Sequence, residues 1–307
     1  MQLLDRDAVL DWQPGQGLLW LHFDINEGET KKWLHADEQL PQVVTAALLA
    51  SETRPRANTI GDGVLLALRG VNLNPGANPV DMVSISLWIE ADRIISTRRR
   101  RLLSVDDVVA SLDEQPLTGP GDMVVRLVDR LVRRTRDVIE SLDNHISILE
   151  TDAAQLSHDL NRTDLANLRR DAIALRRYLA PQREALSQLH RGNFSWLTDD
   201  DKLNLREVSD RLILYLEGLD AFRERASVLQ AELVSQLSEQ LNRRMLPQLP
   251  VAIRVARANC ISNAAAQTSS LHLAQLSPKY WGGRCARAAP PTFHASVVGR
   301  ISNTLRN

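Results

Sequence analysis

The sequence contains few of the features that secreted and redox-active proteins depend on. Only two of its 307 residues are cysteine, Cys260 and Cys285, so the preceding part of the chain can form no disulfide and carries no thiol nucleophile. We expect no secretory signal, because Asp5, Arg6 and Asp7 interrupt the first residues, where an apolar run would have to begin. The remaining composition, 44% apolar and 24% charged, is typical of a folded globular protein of about two domains.

Long apolar runs are missing as well. A helix that spans a membrane needs about 20 predominantly apolar residues. The longest uncharged stretch near the C-terminus, 258–278, has ten strongly polar residues among its 21. We therefore expect no transmembrane helix in this chain, which as written would be soluble or peripheral.

Acidic residues are absent from the last 62 positions. Residues 246–307 contain seven basic residues and no acidic one, whereas residues 1–245 contain 38 acidic and 30 basic residues. The formal net charge of −1 hides this asymmetry, and it gives no overall basic field that would indicate a nucleic-acid partner. We expect 246–307 to be an atypical basic tail, disordered or translated out of frame; a natural tail that binds anionic lipid is the alternative.

The first 118 residues have the pattern of an α/β domain. Apolar runs predict strands at 18–25 and 64–73, and alternating residues predict a hairpin of two strands at 84–90 and 93–98. Helical patterns cover 27–39 and begin again at Pro41 and at Ser104. The Gly-Pro-Gly sequence at 119–121 then breaks the pattern, so we place the first domain at 1–118.

Residues 119–245 predict a second, entirely helical region. Its last segment, Asp199–Met245, contains no proline and could form one helix of 47 residues, about 70 Å long. Apolar residues recur along this segment with the alternating spacing of a coiled coil, and they define a seam. The seam consists of Leu205, Val208, Leu212, Tyr215, Leu219, Phe222, Ala226, Leu229 and Leu233. The partner of the seam is either another subunit or a helical hairpin within the same chain.

Five separate blocks of the sequence occur in the order and at the spacing of a known family. The blocks are Trp20–His22, Ser51–Arg56, Ser96–Arg98 leading to Asp106–Val109, Arg176–Arg183, and Asp210–Leu212 continuing to Glu239–Met245. Over about 15–245 the chain thus resembles the ZntB branch of the CorA family of divalent-cation channels and transporters.

This resemblance implies an architecture and a function. Members of the family are homopentamers whose α/β/α cytoplasmic domain is followed by long antiparallel helices, including a stalk helix that leads to the membrane. Five stalks form a funnel that collects cations below the pore, and the resemblance makes the seam of 199–245 an oligomer contact. It also implies Zn²⁺ or another divalent cation as the transported ion, no covalently bound cofactor, no enzymatic activity, and a location at the cytoplasmic face of the inner membrane.

The sequence departs from the family after Met245. A family member would continue into an apolar span and a Gly-Met-Asn or Gly-Val-Asn tripeptide, but here Leu246–Pro250 would end the helix. We therefore expect this chain to be the cytoplasmic portion, to reach the membrane only through segments that it lacks, and to transport nothing by itself. A Gly-Val-Asn tripeptide does occur at Gly70–Asn72, but within a predicted strand, and we assign it no function.

Acidic residues along the predicted stalk are the candidate cation-attracting groups of the funnel. They are Glu217, Asp220, Glu224, Glu232, Glu239, Asp199, Asp200 and Asp201. A ring of carboxylates, repeated in each subunit, would raise the local concentration of cations. The alternatives are a solvated helix face for the first five and capping of the helix N-terminus for the three aspartates.

Metal ligands are not indicated by spacing. No pair of the seven histidines has an i, i+4 spacing with a third ligand nearby, so the metal site is unknown, and His145, His158 and His190 are only weak candidates. His145 lies between Leu142 and Leu149 on a helical seam, which predicts a partly buried structural histidine. The basic run Arg98–Arg101 could contact phosphate, or it could be a surface cluster balanced by nearby acids.

Enzyme motifs are lacking too, since no phosphate-binding glycine loop and no nucleophile elbow occurs. The alternative function is therefore a soluble coiled-coil scaffold with an α/β head. Membrane fractionation distinguishes the two, because an intact transporter subunit sediments with membranes and a scaffold stays soluble.

Overall fold

The structure is a computed structural model, and it describes residues 9, 11–51, 53–154 and 162–245. Its strands are β1 (Leu19–Asp24), β2 (Arg56–Ile60), β3 (Gly63–Gly70), β4 (Val83–Ile89) and β5 (Arg93–Arg98). Its helices are α1 (Gly28–Ala36), α2 (Gln42–Leu48), α3 (Leu103–Ser111), α4 (Pro120–Ala154), α5 (Arg162–Arg191) and α6 (Asp199–Met245).

The strands form one sheet in the order β1-β5-β4-β3-β2. The β1–β5 pair is parallel, and the other three pairs are antiparallel. The hairpin predicted at 84–98 is confirmed as β4 and β5. The strand β2 was not predicted, because its residues, Arg-Ala-Asn-Thr-Ile, lack an apolar alternation, and it lies at the edge of the sheet.

Helices cover both faces of the sheet, which confirms the predicted α/β/α domain. On one face Leu65, Trp88 and Ile95 pack with Leu34 of α1 and Val44 of α2. The neighbouring strand residues point to the opposite face, because side chains alternate along a strand. There they join the larger core with α3, α4 and α5. That set includes Val64, Leu66, Leu68, Ile85, Leu87, Ile94, Val105, Leu127, Leu131 and Leu179.

Gly70, the first residue of the Gly-Val-Asn tripeptide, has a packing role. It ends β3 directly beneath α4, and a Cβ atom at this position would lie 2.5 Å from Leu131 Cδ2 and 2.8 Å from Leu102 Cδ1. Asn72 is buried, and its side-chain oxygen accepts hydrogen bonds from the backbone and side chain of Asn74. The tripeptide is thus explained by close packing.

Replacing Gly70 by Ala is expected to destabilise the protein by about 1–3 kcal/mol, because two buried leucines would have to move. Urea unfolding followed by circular dichroism measures this change. Gly28 is the matched control, since a Cβ there meets no atom within 4 Å, and the same substitution should change the free energy of unfolding little. Equal effects at both glycines would contradict the packing explanation.

The three long helices form the second part of the fold, and α6 spans the predicted Asp199–Met245. Arg211 of α6 pairs with Asp129 of α4 at 2.8 Å. Further along both helices, Arg225 pairs with Glu150 at 2.7 Å, so α4 and α6 run in the same direction. Arg176 of α5 pairs with Asp220 of α6, and Arg169 with Gln230, so α5 runs antiparallel to α6.

The seam of α6 is buried within the chain itself, so its interpretation as an oligomer contact is wrong for this structure. Leu205, Val208, Leu212, Leu219, Phe222, Ala226 and Leu229 are buried, and Tyr215 and Leu233 are partly buried against the same core. The helices α4 and α5 supply the apolar partners, including Leu142, Ile146, Leu175 and Leu186. The hairpin alternative therefore describes this surface, because a heptad pattern does not specify which chain covers it.

None of the helices within the described ranges is long and apolar enough to cross a membrane. The predicted division at residue 119 coincides with the start of α4, but α4 and α5 also contact the sheet. The assignment of 1–118 and 119–245 to separate domains therefore stays a prediction. The predicted tail, 246–307, lies outside the described residues.

Candidate functional site

The exposed side of α6 carries two of the acidic residues that were candidates from the sequence, Glu217 and Glu224. Glu217 lies two residues before Leu219, and Glu224 lies two residues after Phe222. At about 100° per residue, each acid is therefore about 200° from a buried seam residue. We call the exposed residues Leu203, Leu214, Glu217, Ala221, Glu224 and Val228 the outer face of α6.

Glu217 and Glu224 are available to a ligand. Both side chains are exposed, and neither makes a hydrogen bond or ion pair to another residue of the described ranges. They are seven residues apart, which on a helix corresponds to about 10 Å along one side. Two carboxylates at this spacing do not chelate one ion, but they attract cations over the length of the face.

Asp220 is already paired. Arg176 of α5 donates two hydrogen bonds to its carboxylate, at 2.7 and 3.0 Å, and Arg223 lies 3.3 Å away. The hydrogen bonds from Arg176 lower the pKa of Asp220. Farther along α6, Glu232 and Glu239 are also exposed, and Glu232 accepts a hydrogen bond from Gln236.

The three aspartates at the start of α6 differ in their surroundings. Asp201 accepts hydrogen bonds from the backbone N–H and hydroxyl of Thr198, and its own N–H donates to the Thr198 hydroxyl at 3.1 Å, which forms a capping box. Asp201 also lies directly against Gly121 at the start of α4. Asp199 and Asp200 are exposed, and Asp199 lies 3.5 Å from Lys202. The structure thus gives Asp201 the capping role that the sequence analysis named as the alternative.

Large apolar side chains on the outer face were not singled out from the sequence. Leu203 is 65% exposed, Leu214 is 64% exposed and Val228 is 60% exposed. With Ala221 they recur after 11, 7 and 7 residues, a spacing that keeps them on one side of a helix. This second apolar stripe occupies other helical positions than the seam. Its regular spacing means that the periodicity that revealed the seam could have revealed the stripe too.

The weak metal-ligand candidates do not converge in the structure. His145 is exposed, with its Nδ1 2.7 Å from the Ser141 carbonyl oxygen, so the prediction that it is partly buried on a seam is wrong. Ile146 occupies that seam position instead. His190 lies in the last turn of α5, and His158 is outside the described residues. Within the described part of the chain, no three His, Cys, Asp or Glu residues are arranged to hold a metal ion.

The whole described body resembles proteins of known family. A family model described as "CorA-like Mg2+ transporter protein" matches residues 15–246. The chain is 38% identical over 228 residues to the zinc transport protein ZntB of Yersinia enterocolitica, which covers 73% of this chain and 69% of that protein. It is 39% identical over 244 residues to the divalent cation transporter CmaX of Pseudomonas aeruginosa, covering 78% of this chain and 72% of that one.

Solved structures agree with these matches. The structure of full-length CmaX superposes with a TM-score of 0.74 at 35% identity, covering 79% of this chain and 75% of that one. The cytoplasmic domain of ZntB from Vibrio parahaemolyticus shares the fold, with a TM-score of 0.61 at 20% identity, and the match covers 72% of this chain and 88% of that domain. With a family model that covers most of its length and relatives above 30% identity, the chain belongs to the CorA-like family of divalent-cation transporters.

Proposed function

We propose that this chain is the cytoplasmic, cation-collecting part of a divalent metal cation transporter, and that Zn²⁺ is its first candidate cation. The observation that carries the proposal is the pair of exposed, unpaired carboxylates of Glu217 and Glu224 on the outer face of α6. Zinc is proposed because a relative with 38% identity is named for zinc transport. Transport involves no covalent chemistry by the chain, which acts by holding negative charge beside the path of the ion.

Assembly would bring the outer faces of several copies together. The exposed Leu203, Leu214 and Val228 can be covered by a second copy, and the acids between them would then form rings around a common axis. The family resemblance implies a pentamer, located at the cytoplasmic face of the inner membrane. Asp199, Asp200, Glu232 and Glu239 remain further candidates for this acidic lining, whereas the paired Asp220 would contribute less.

Replacing Glu217 and Glu224 together by Gln is expected to weaken Zn²⁺ binding by about fivefold or more at low ionic strength, because two carboxylates of the outer face are removed. Equilibrium dialysis of the full chain with ⁶⁵Zn²⁺ measures the change. The difference should shrink in about 0.5 M salt, because exposed charges are then screened.

The matched control replaces Glu27 and Glu38, two exposed acids beside α1, by Gln. It changes the net charge equally and should leave Zn²⁺ binding within about twofold. Equal losses in the two double variants would mean that only net charge matters, and an unchanged affinity in the first would remove Glu217 and Glu224 from the site. The prediction that the chain transports nothing by itself stays a prediction.

A further inference from the structure

A cavity of about 390 Å³ lies between the sheet and α5, away from the outer face of α6. Four arginines line it: Arg69 of β3, Arg99 and Arg100 after β5, and Arg177 of α5. The only acidic residue among the lining residues is the exposed Asp81. The cavity is therefore strongly basic, and its volume is in the range of small-molecule sites.

Arg69 is the buried member of the group, with 9% of its surface exposed. Its Nε donates to the Thr53 carbonyl at 2.9 Å, and its Nη1 donates to the Met82 carbonyl at 2.8 Å. The position of β3 is fixed here by Gln182, whose side-chain oxygen accepts the Arg69 backbone N–H at 2.8 Å. The guanidinium is thus held in one orientation, and its remaining N–H groups are left to serve another acceptor.

No carboxylate in the described ranges, which omit Glu52, forms an ion pair with Arg69, Arg99, Arg100 or Arg177. A buried guanidinium without a counter-ion is costly, since its desolvation is not offset by an opposite charge. The other buried arginine of the sheet, Arg93, is satisfied by Asp37 at 2.9 Å and Glu90 at 2.7 Å. Within one sheet, Arg93 thus has two carboxylate partners, whereas the described part of the chain supplies Arg69 with none and leaves its charge to an added anion.

Tyr178 connects the buried and exposed arginines. Its ring lies 4.2 Å from the Arg69 guanidinium carbon and 4.9 Å from that of Arg177. Arg177 Nη2 donates to the Tyr178 hydroxyl oxygen at 2.8 Å, so the hydroxyl hydrogen itself is free to donate to a ligand. Two guanidinium groups and one phenol are therefore positioned together at one side of the cavity.

We propose that this cavity binds a soluble small molecule that carries two or more phosphate groups. Guanidinium groups recognise phosphate oxygens by paired, charge-assisted hydrogen bonds. Four arginines against one aspartate match a multivalent anion better than a chloride ion or a single carboxylate. The burial of Arg69 favours a free molecule over a lipid headgroup, because the phosphate of a bilayer stays at the membrane surface.

Isothermal titration calorimetry of the full chain with inorganic pyrophosphate tests the site, with sodium sulfate at equal ionic strength as the anion control. Saturable binding of pyrophosphate that sulfate does not reproduce is the expected result. Arg177→Gln should weaken this binding by about tenfold or more, since it removes one charged donor from an exposed position without disturbing the core.

Arg183→Gln is the matched control, because Arg183 is exposed on the same helix and does not line the cavity. It should keep the affinity within about twofold. Tyr178→Phe retains the ring and removes the hydroxyl, and a smaller loss of affinity is expected for it.

Three outcomes would overturn the proposal. They are the absence of saturable pyrophosphate binding, equal losses in Arg177→Gln and Arg183→Gln, and binding to phosphatidylglycerol vesicles that depends on Arg177 but is not competed by pyrophosphate. The last outcome would assign the arginines to a membrane surface. Zn²⁺ binding by the outer face of α6 is measured separately, so neither result decides the other.

Discussion

Replacing Leu212 by Glu is expected to unfold the three-helix region. Leu212 of α6 is completely buried against the neighbouring helices. Truncating a buried leucine costs about 2–5 kcal/mol, and the carboxylate would in addition be buried without a partner. The sum is comparable with the total stability of a typical protein, about 5–15 kcal/mol. Circular dichroism and urea unfolding of the variant measure the loss.

Leu214→Glu is the matched control for this experiment. Leu214 lies two residues farther along the same helix and is 64% exposed, so the same substitution there should change the free energy of unfolding by only about 0.5 kcal/mol or less. Sedimentation of this folded variant also tests assembly, since a charge on the outer face should weaken association between copies. Similar unfolding of both variants would contradict the difference in burial between the two leucines. Association that depends on Leu212 in a folded protein would restore the seam as an oligomer contact.

The helical bounds of α6 could be predicted because they depend on local sequence. Asp199–Met245 contains no proline, and its aspartates favour the N-terminus of a helix. The partner of the seam could not be predicted in the same way. A heptad repeat requires only that an apolar surface cover it, and Leu142 or Leu175 of the same chain meets that requirement as well as a second subunit would.

The sequence predicted on which side of α6 the candidate acids lie, but not which of them are paired with a basic residue. Spacing alone places Glu217 and Glu224 on the side of α6 away from the seam. The partner of Asp220 is Arg176, 44 residues earlier, and only the packing of α5 against α6 brings the two together. The side of a helix on which an acidic residue lies can thus be predicted from the sequence. Whether a basic residue pairs with it depends on tertiary contacts.

The basic cavity shows the same limit more strongly. The run Arg98–Arg101 indicated a contact with phosphate or a surface cluster, and the structure gives its members different surroundings. Arg99 and Arg100 line the cavity, whereas Arg101 pairs with Asp106 at 2.8 Å. No sequence signal connects this run with Arg69 on another strand and with Arg177 on α5, because the sheet and α5 bring them together only in the folded chain.

His22 is expected to make the stability of the protein depend on pH between about 4 and 6.5. The ring lies on β1, with Nδ1 2.8 Å from the Ser96 hydroxyl. That hydroxyl accepts a hydrogen bond from Trp20 and donates to the Leu21 carbonyl, an arrangement that assigns the imidazole proton to Nδ1. Nε2 is buried without a hydrogen-bond partner among the described residues. Protonation would place a charge and an unsatisfied N–H group at that atom.

Burial, assisted by the positive charge of Arg98, therefore lowers the pKa of His22 from 6.5 to about 4, against smaller opposing effects of Asp106 and Asp24. As the pH falls, the unfolded chain binds this proton first. The contribution of the neutral histidine is thus fully present above pH 6.5 and is lost as the pH approaches 4, to a total of about 3 kcal/mol.

Urea unfolding at about pH 7.5 and about pH 5 measures this effect, and the wild type should lose about 2 kcal/mol more than His22→Gln between the two conditions. The comparison cancels the contributions of the other titrating groups, which the two proteins share. Proton NMR of the His22 ring supplies a direct measure, with a midpoint expected near pH 4. Equal losses of stability in both proteins, together with a ring that titrates near 6.5, would mean that water reaches Nε2 and that the β1 edge of the sheet is open at this residue.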